Sequence, residues 1–332
     1  MYNRREGDGT QSTLCIHVDD MMLTTVSESH LDGLLEELKV KFGDITINRG
    51  RVQDYLGMTF DFTNDRHLRV SMRSFIDNVL EPFALKESVS TPANNNLFHT
   101  NSEPQLSKED AETFHKVTAQ LLYLAKRTRP DILFAVSFLV TRVKEPTQGD
   151  YAKLMRVLKY LHGTRDLDLR LSADKHINIS AYIDASYAIH SDFKSHSGIY
   201  VSMGRGPIYC NSSKQRINSK SSTEAEMIAV SDGLNHVLWL RNFLIAQGYK
   251  LNESNIFQDN QSAISLFKTG KSQSSTRTRH IAIRFYFVKD RVDKGEIRVE
   301  YISSENMVAD IFTKPLQGKK FHELRGVLLG LS

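Results

Sequence analysis

Ser221-Ser222-Thr223-Glu224-Ala225-Glu226-Met227-Ile228-Ala229-Val230 opens the longest helix that the sequence predicts, and its place behind three strand-like stretches decides the fold. Ser221-x-x-Glu224 and Thr223-x-x-Glu226 each fit a capping box, so the helix starts near residue 222, and its pattern runs to about 246. Ahead of it, strands are expected at 177–184, 196–203 and 206–211, joined by short turns such as Met203-Gly204-Arg205-Gly206. Behind it come a strand at 254–258, a helix at 260–268, a basic loop, a helix at about 280–293, a strand at 296–302 and a last helix from about 305. That order describes an α/β (α+β) class: a mixed sheet with helices packed on it.

Upstream the pattern is helical. Residues 111–127, 131–143 and 151–162 have helical periodicity, the first two separated by Arg129-Pro130, and Leu154, Val157, Leu158 and Leu161 share one face of the third. Residues 87–110 are polar with two prolines and little periodicity, which marks a linker or surface-crossing segment. Residues 11–26 read as two apolar strands around a turn at Asp19-Asp20, followed by a helix carrying Leu31, Leu34, Leu35, Leu38 and Phe42. Ser27 or Ser29 is its expected cap and Gly43 its stop. Residues 55–62 and 67–71 alternate as a hairpin around Thr63-Asn64-Asp65-Arg66, and 75–80 form a short helix.

The chain has 332 residues, 40% hydrophobic and 25% charged, with a formal net charge of +4, room enough for two domains. A mild positive balance suits a protein that meets a polyanion through local patches, though charge alone selects no partner. Cys15 and Cys210 are the only cysteines and lack metal-ligand spacing, which argues against a disulfide framework or a zinc site and for a reducing compartment, cytoplasmic or nuclear. The longest apolar run, 132–140, is too short to span a bilayer, and the polar N-terminus carries no signal-peptide core.

Four acidic residues of the C-terminal half stand out. Asp184 ends the first predicted strand, Glu226 lies in the capped helix, Asp259 follows the strand at 254–258, and Asp310 sits in the last helix among Met307, Ile311 and Phe312. Taken singly, a turn-forming role for Asp184 and an N-cap role for Asp259 are the commoner uses of such residues. Glu224 and Glu226 compete for the second place; Glu226 is preferred because it shares a face with Ala229 and Val230, which leaves Glu224 the capping role. Asp310 is the hardest to explain as a bland residue, since a carboxylate on an apolar face needs a partner. Together the four could supply the hard oxygens that two divalent ions roughly 4 Å apart require.

Residues 113–330 resemble the C-terminal part of a copia-type LTR-retrotransposon Pol polyprotein. The motifs are Gln120-Leu121-Leu122-Tyr123-Leu124 with Thr128-Arg129-Pro130-Asp131-Ile132, Val157-Leu158-Lys159-Tyr160-Leu161-His162-Gly163-Thr164, and Lys194-Ser195-His196-Ser197-Gly198. Ser221-Ser222-Thr223-Glu224-Ala225-Glu226, Asp259-Asn260-Gln261-Ser262-Ala263, Arg279-His280-Ile281 and Ala309-Asp310-Ile311-Phe312-Thr313-Lys314-Pro315-Leu316 follow in the same order. The resemblance implies a ribonuclease H-like mixed five-stranded sheet with flanking helices at 171–332, behind a helical thumb or connection segment at 113–170, a linker at 86–112 and a truncated reverse-transcriptase palm/thumb at 1–85. It further implies that Asp184, Glu226, Asp259 and Asp310 bind two Mg²⁺ ions, with Mn²⁺ as a substitute, and cut the RNA strand of an RNA–DNA hybrid. A catalytically inactive nucleic-acid-binding remnant is the alternative.

His17-Val18-Asp19-Asp20 resembles the catalytic hairpin of reverse transcriptases, with His17 where the family usually has Tyr. Tyr55-Leu56-Gly57-Met58, Phe75-Ile76 and Ser90-Thr91-Pro92 match the segments that follow it in the family. Because the family places a further metal-binding Asp and the fingers upstream, the Asp19 and Asp20 pair is expected not to polymerise by itself; the missing reverse-transcriptase portion or a second copy of the chain would be its partner. Two basic clusters flank the expected cleft: Arg205, Lys214, Arg216 and Lys220, then Lys268, Lys271, Arg277, Arg279 and Arg284. With Lys194 they suit sequence-independent contact to phosphates. His280 has both a structural role and an approach to the cleft open to it, Ala282 stands where the family usually has Asp, Tyr187 and Tyr209 are candidates for stacking, and Trp239 is expected in the core.

Overall fold

The computed structural model describes residues 1–100, 103–174, 177–269 and 279–331, with only the backbone of 279–282. It divides into two compact units, Met1–Leu68 and Arg69–Ser332.

In the first unit β1 (Tyr2–Arg5), β2 (Gln11–His17) and β3 (Asp20–Thr24) form an antiparallel sheet. His17 pairs with Asp20, so the turn is Val18-Asp19, one residue earlier than expected, and Asp20 already belongs to β3. Val18 there takes a φ of 53°, which a β-branched residue rarely adopts. Helix α1 (Glu28–Phe42) follows Ser27 and stops at Gly43, whose φ of 81° suits glycine. Of its apolar stripe only Leu35 is buried. The expected continuous strand at 55–62 is instead β4 (Val52–Tyr55) and β5 (Met58–Asp61), because Leu56 and Gly57 both take positive φ and close a two-residue hairpin.

The second unit starts with β6 (Leu68–Ser71) at its boundary, α2 (Arg73–Leu80), and then α3 (Lys108–Ala125), α4 (Leu133–Val140) and α5 (Gln148–Gly163). Thr147 and Asp150 cap α5 reciprocally. At the bend before α4 the Arg129 guanidinium is 2.7 Å from Asp131 with both side chains buried, and the Tyr160 hydroxyl donates to the same carboxylate at 2.6 Å. This closed network ties the Arg129-Pro130-Asp131 bend to α5. Asp131 remains acidic because Arg129 outweighs the cost of burial.

Next come β7 (Leu169–Ala173), β8 (Ser180–Ser186), β9 (His196–Ser202), β10 (Gly204–Arg205) and β11 (Tyr209–Lys214). Sequence reading missed β7, which pairs with the two-residue β10. Helix α6 (Ser222–Ala246) has the expected bounds, as does β12 (Ser254–Gln258), and α7 (Gln261–Thr269), α8 (Arg279–Asp293) and β13 (Ile297–Tyr301) follow. The main sheet has the order β11-β9-β8-β12-β13; β11, β9 and β8 run antiparallel, and β12 is parallel to both β8 and β13. This is the ribonuclease H-like mixed five-stranded sheet with flanking helices that the resemblance implies.

On one face, Ala181, Ile183, Ile199 and Val201 pack under Ala229, Val230, Leu234 and Val237 of α6. The other face carries the segment expected to be a final helix, with a different shape. Residues Ser304–Asn306 and Val308–Phe312 are 3-10 turns, and a true helix, α9 (Gly318–Leu328), starts only beyond Pro315. Proline's missing N–H and its steric demand on residue 314 stop an α-helix there. Trp239 is also placed differently from the expectation: it is 66% exposed and stacks on Phe243, since it lies across α6 from Val237. Among the described residues no helix is long and apolar enough to cross a membrane.

Candidate active site

Strand alternation sends Ala181, Ile183 and Ala185 toward α6 and Asp184 to the opposite face, beneath the 3-10 turn. Asp184 is not at the strand end but within β8, 2% exposed. The Thr313 hydroxyl donates to its Oδ2, and the Lys314 ammonium lies 3.8 Å from the same atom. Glu226 enters from the other side, in the second turn of α6, where the Gln258 amide donates to its carboxylate at 3.0 Å. Asp259 follows β12 and accepts from the Ser304 hydroxyl at 2.7 Å. One oxygen from each of Asp184, Glu226 and Asp259 lies within 4.8 Å of the others, and among the described residues this is the only group of three or more potential metal ligands.

Asp310 is outside that group of three but beside it. Its Oδ1 is 2.6 Å from Lys314 Nζ, so one ammonium bridges Asp310 and Asp184. Glu224 is engaged elsewhere: its carboxylate accepts the Lys220 N–H at 2.7 Å, and its own N–H donates to Ser221 Oγ, which closes the start of α6. Burial, with Asp310 and Asp259 nearby, pushes the Asp184 carboxyl up to about 6 despite Lys314 and Thr313. Burial, reinforced by Asp184, lifts Glu226 well above the usual glutamate range. Asp310 is raised by burial against the pull of Lys314. For Lys314 burial works against the charge, but Asp184 and Asp310 outweigh it and hold the ammonium more strongly protonated. Anions forced together out of water are short of positive charge, and the donor set is all carboxylate oxygen. Both features fit hard divalent cations such as Mg²⁺.

Two packing features hold the 3-10 turn in place. Gly198 pairs with Asp184 across the sheet, and a Cβ there would lie 2.7 Å from Thr313 and 2.8 Å from the Ala309 carbonyl, so only glycine lets the turn sit this close. Ser212 on β11 donates to the Phe312 carbonyl at 2.8 Å. Having spent its hydrogen, Ser212 accepts from His196 Nε2 at 2.7 Å, and His196 Nδ1 therefore accepts from His190 Nε2 at 3.0 Å. Burial keeps both imidazoles neutral, pushing His190 down to about 4 and His196 to about 3.

The chain is 30% identical over its whole length to a retrovirus-related Pol polyprotein from transposon TNT 1-94 of Nicotiana tabacum. It is likewise 30% identical, over 93% of its length, to the Pol polyprotein from transposon RE1 of Arabidopsis thaliana. This chain belongs to the copia-type retrotransposon Pol polyproteins. It spans only 25% of the tobacco relative and 21% of the Arabidopsis one. No family model matches it. Among solved structures it is similar to RNase H1 from Halobacterium salinarum NRC-1, over 41% of this chain and 93% of that one, at 13% identity and a TM-score of 0.30. A prototype foamy virus protease-reverse transcriptase covers 87% of this chain, at 13% identity and a TM-score of 0.29. Those superpositions are loose, and the strand order and directions given above carry the fold assignment.

In this Pol segment the expected basic surface is partly neutralised. Lys214 and Lys194 flank Asp192 at 2.7 and 4.0 Å, and Arg284 is ion-paired with Asp232. Arg205, Arg216, Lys220 and Lys268 are exposed. Lys271 and Arg277, and the side chains of Arg279, His280 and Ala282, lie outside the described residues. Asp19 and Asp20 are exposed at the hairpin of the first unit, without a third ligand in reach among the described residues. Tyr187 is 45% exposed two residues past Ala185, whereas Tyr209 stacks on His236 with ring centroids 4.0 Å apart. Sequence reasoning missed Gln258, Ser304, Thr313 and Lys314 as contacts of the acidic residues. For Lys314 a signal existed, since it stands four residues after Asp310 in the motif that carried the resemblance.

Proposed function

We propose that this Pol segment is a ribonuclease H that hydrolyses the RNA strand of RNA–DNA hybrids with two Mg²⁺ ions, Mn²⁺ substituting. The observation that carries this reading is the convergence of Asp184, Glu226 and Asp259 within 4.8 Å, with Asp310 joined to them through Lys314. Asp184, Glu226, Asp259 and Asp310 would hold the ions, which when bound supply activation of the attacking water and neutralisation of charge on phosphorus and the leaving 3′ oxygen. No side chain need act as nucleophile, and the products carry a 5′ phosphate and a 3′ hydroxyl. The chain's own residues position the ligands: Gln258 orients Glu226, Ser304 holds Asp259, and Thr313 fixes Asp184. Arg216 and Lys220, exposed just before α6, supply sequence-independent phosphate contact on the approach to Glu226. The exposed Asp19 and Asp20 take no part in this hydrolysis.

The test is substrate class. Given end-labelled RNA–DNA hybrid, RNA duplex and DNA duplex of one sequence, the protein is expected to cut only the RNA of the hybrid, with Mg²⁺ and not with EDTA. Folded protein that binds the hybrid without cutting it is a remnant and not an enzyme.

A further inference from the structure

The acidic cluster already contains a cation. Among the described residues Lys314 is the basic side chain that ion-pairs with it, 2.6 Å from Asp310 Oδ1 and 3.8 Å from Asp184 Oδ2. Those two oxygens belong to residues 126 positions apart in sequence and aim at one point, which the ammonium fills. The backbone behind it is fixed: the Lys314 N–H donates to the Asp310 carbonyl at 2.9 Å, and the Thr313 side chain is locked on Asp184. The side chain itself is not trapped, being 39% exposed, so it can leave without disturbing the core. On the Glu226 and Asp259 side no ion pair with a described residue competes, and those carboxylates are held by neutral amide and hydroxyl donors.

We propose that Lys314 is a built-in competitor for one of the two divalent ions. Its ammonium stands between Asp184 and Asp310 and must swing out before an ion can bridge them, so the two ions bind with unequal affinity. This rests on the proposed metal-dependent function. An ammonium and a divalent ion cannot both sit at the point between these two carboxylates: oxygen–metal contacts of about 2.1 Å would put the ion where the nitrogen now lies, and the two charges repel. The ion held by Asp184, Glu226 and Asp259 meets the ammonium only at Asp184, across the longer contact of 3.8 Å, and binds first. The second binds only at the cost of a charge-assisted hydrogen bond, which lowers its affinity on the order of tenfold. Lys314 is thereby a positioning residue: it holds the carboxylates together before loading and delays completion of the centre.

Titration calorimetry with Mn²⁺ alone, and again with Mg²⁺ alone, tests this on the full chain without nucleic acid. Wild type is expected to show a tighter and a weaker site. Lys314→Gln should tighten the weaker site roughly tenfold and leave the tighter one within about twofold, while Lys314→Arg, which keeps the charge, should behave as wild type. Asp310→Asn should abolish the weaker site and identifies it. Lys314→Met gives a second uncharged side chain of similar reach, and thermal melts check that each variant is folded. Two sites in wild type with the weaker one unchanged or weakened in both Lys314→Gln and Lys314→Met would overturn the competitor while leaving the metal centre standing. Wild type that takes up neither ion would overturn the metal centre and the competitor together.

Discussion

Asp184→Asn should make the metal-free protein more stable at neutral pH while destroying the site it belongs to. In the folded protein burial lifts the Asp184 carboxyl from the ordinary 3.8 to about 6. A carboxyl with a raised folded value binds its proton more tightly when folded, so its contribution to stability is greatest below about 3.8 and is lost as pH rises through about 6. At about 1.4 kcal/mol per pKa unit, ionising this one group at neutral pH costs about 3 kcal/mol. That cost is already net of the attraction to Lys314; asparagine removes it but accepts the Thr313 hydroxyl less strongly than a carboxylate and brings an amide N–H that needs its own acceptor, together roughly 1–2 kcal/mol, which leaves a net gain of about 1–2 kcal/mol. For a unit of this size that corresponds to a rise in Tm of roughly 2–8 °C. The assay is a pair of thermal melts in EDTA, at pH 7.5 and at pH 4.5. The variant should melt higher at pH 7.5, and the gap should close at pH 4.5, where the wild-type carboxyl keeps its proton. Adding Mg²⁺ should reverse the order, because only wild type gains binding energy. A variant that melts at or below wild type at pH 7.5 in EDTA would refute the claim that this carboxylate is strained by burial.

Three further outcomes follow from particular contacts. Asp131→Ala leaves the Arg129 guanidinium buried without its counter-charge and should cost about 3–5 kcal/mol in urea unfolding; a loss below about 1 kcal/mol would mean the network is incidental. Gly198→Ala drives a methyl group against Thr313 and the Ala309 carbonyl, so it should lift the turn carrying Asp310, cost about 1–3 kcal/mol and depress hybrid cleavage more than hybrid binding. Equal cleavage by a folded Gly198→Ala protein would show that the turn tolerates the shift. Arg216→Gln and Lys220→Gln should each flatten the salt dependence of hybrid binding by about 0.9 in log–log slope, and an unchanged slope would remove them from the phosphate surface.

Much of this was legible in the sequence where local chemistry is decisive. Ser221 and Glu224 mark the start of α6, because a cap acts over a few residues, and the strand expected at 254–258 is β12. Asp310 was found but given the wrong element. Its apolar neighbours suggest an amphipathic helix, whereas Pro315 and the tight fit over Gly198 impose a 3-10 turn. Alternation across 55–62 concealed the Leu56-Gly57 reversal, since a positive φ at Leu56 has no sequence signal. Trp239 was assigned to the core because it lies inside a helix, although its place on the helix face puts it in solvent. What sequence reasoning could not supply is the support of the site. Thr313 meets Asp184 across 129 positions and Gln258 meets Glu226 across 32, and pairings of that length are set by the sheet order and not by any spacing in the chain.

If the proposed function holds, Asp184, Glu226, Asp259 and Asp310 act as one hydrolytic centre. Its most direct test is cleavage of a labelled RNA–DNA hybrid in Mg²⁺ by wild type and by Asp259→Asn, purified alike and shown by melts to be folded. Asp259 is the partly exposed member, so its exchange for asparagine is the least disruptive to packing. Wild type is expected to cut only the RNA strand, leaving 3′ hydroxyl ends, and Asp259→Asn to fall to background. Equal cutting by both proteins, or no cutting by folded wild type, would contradict it.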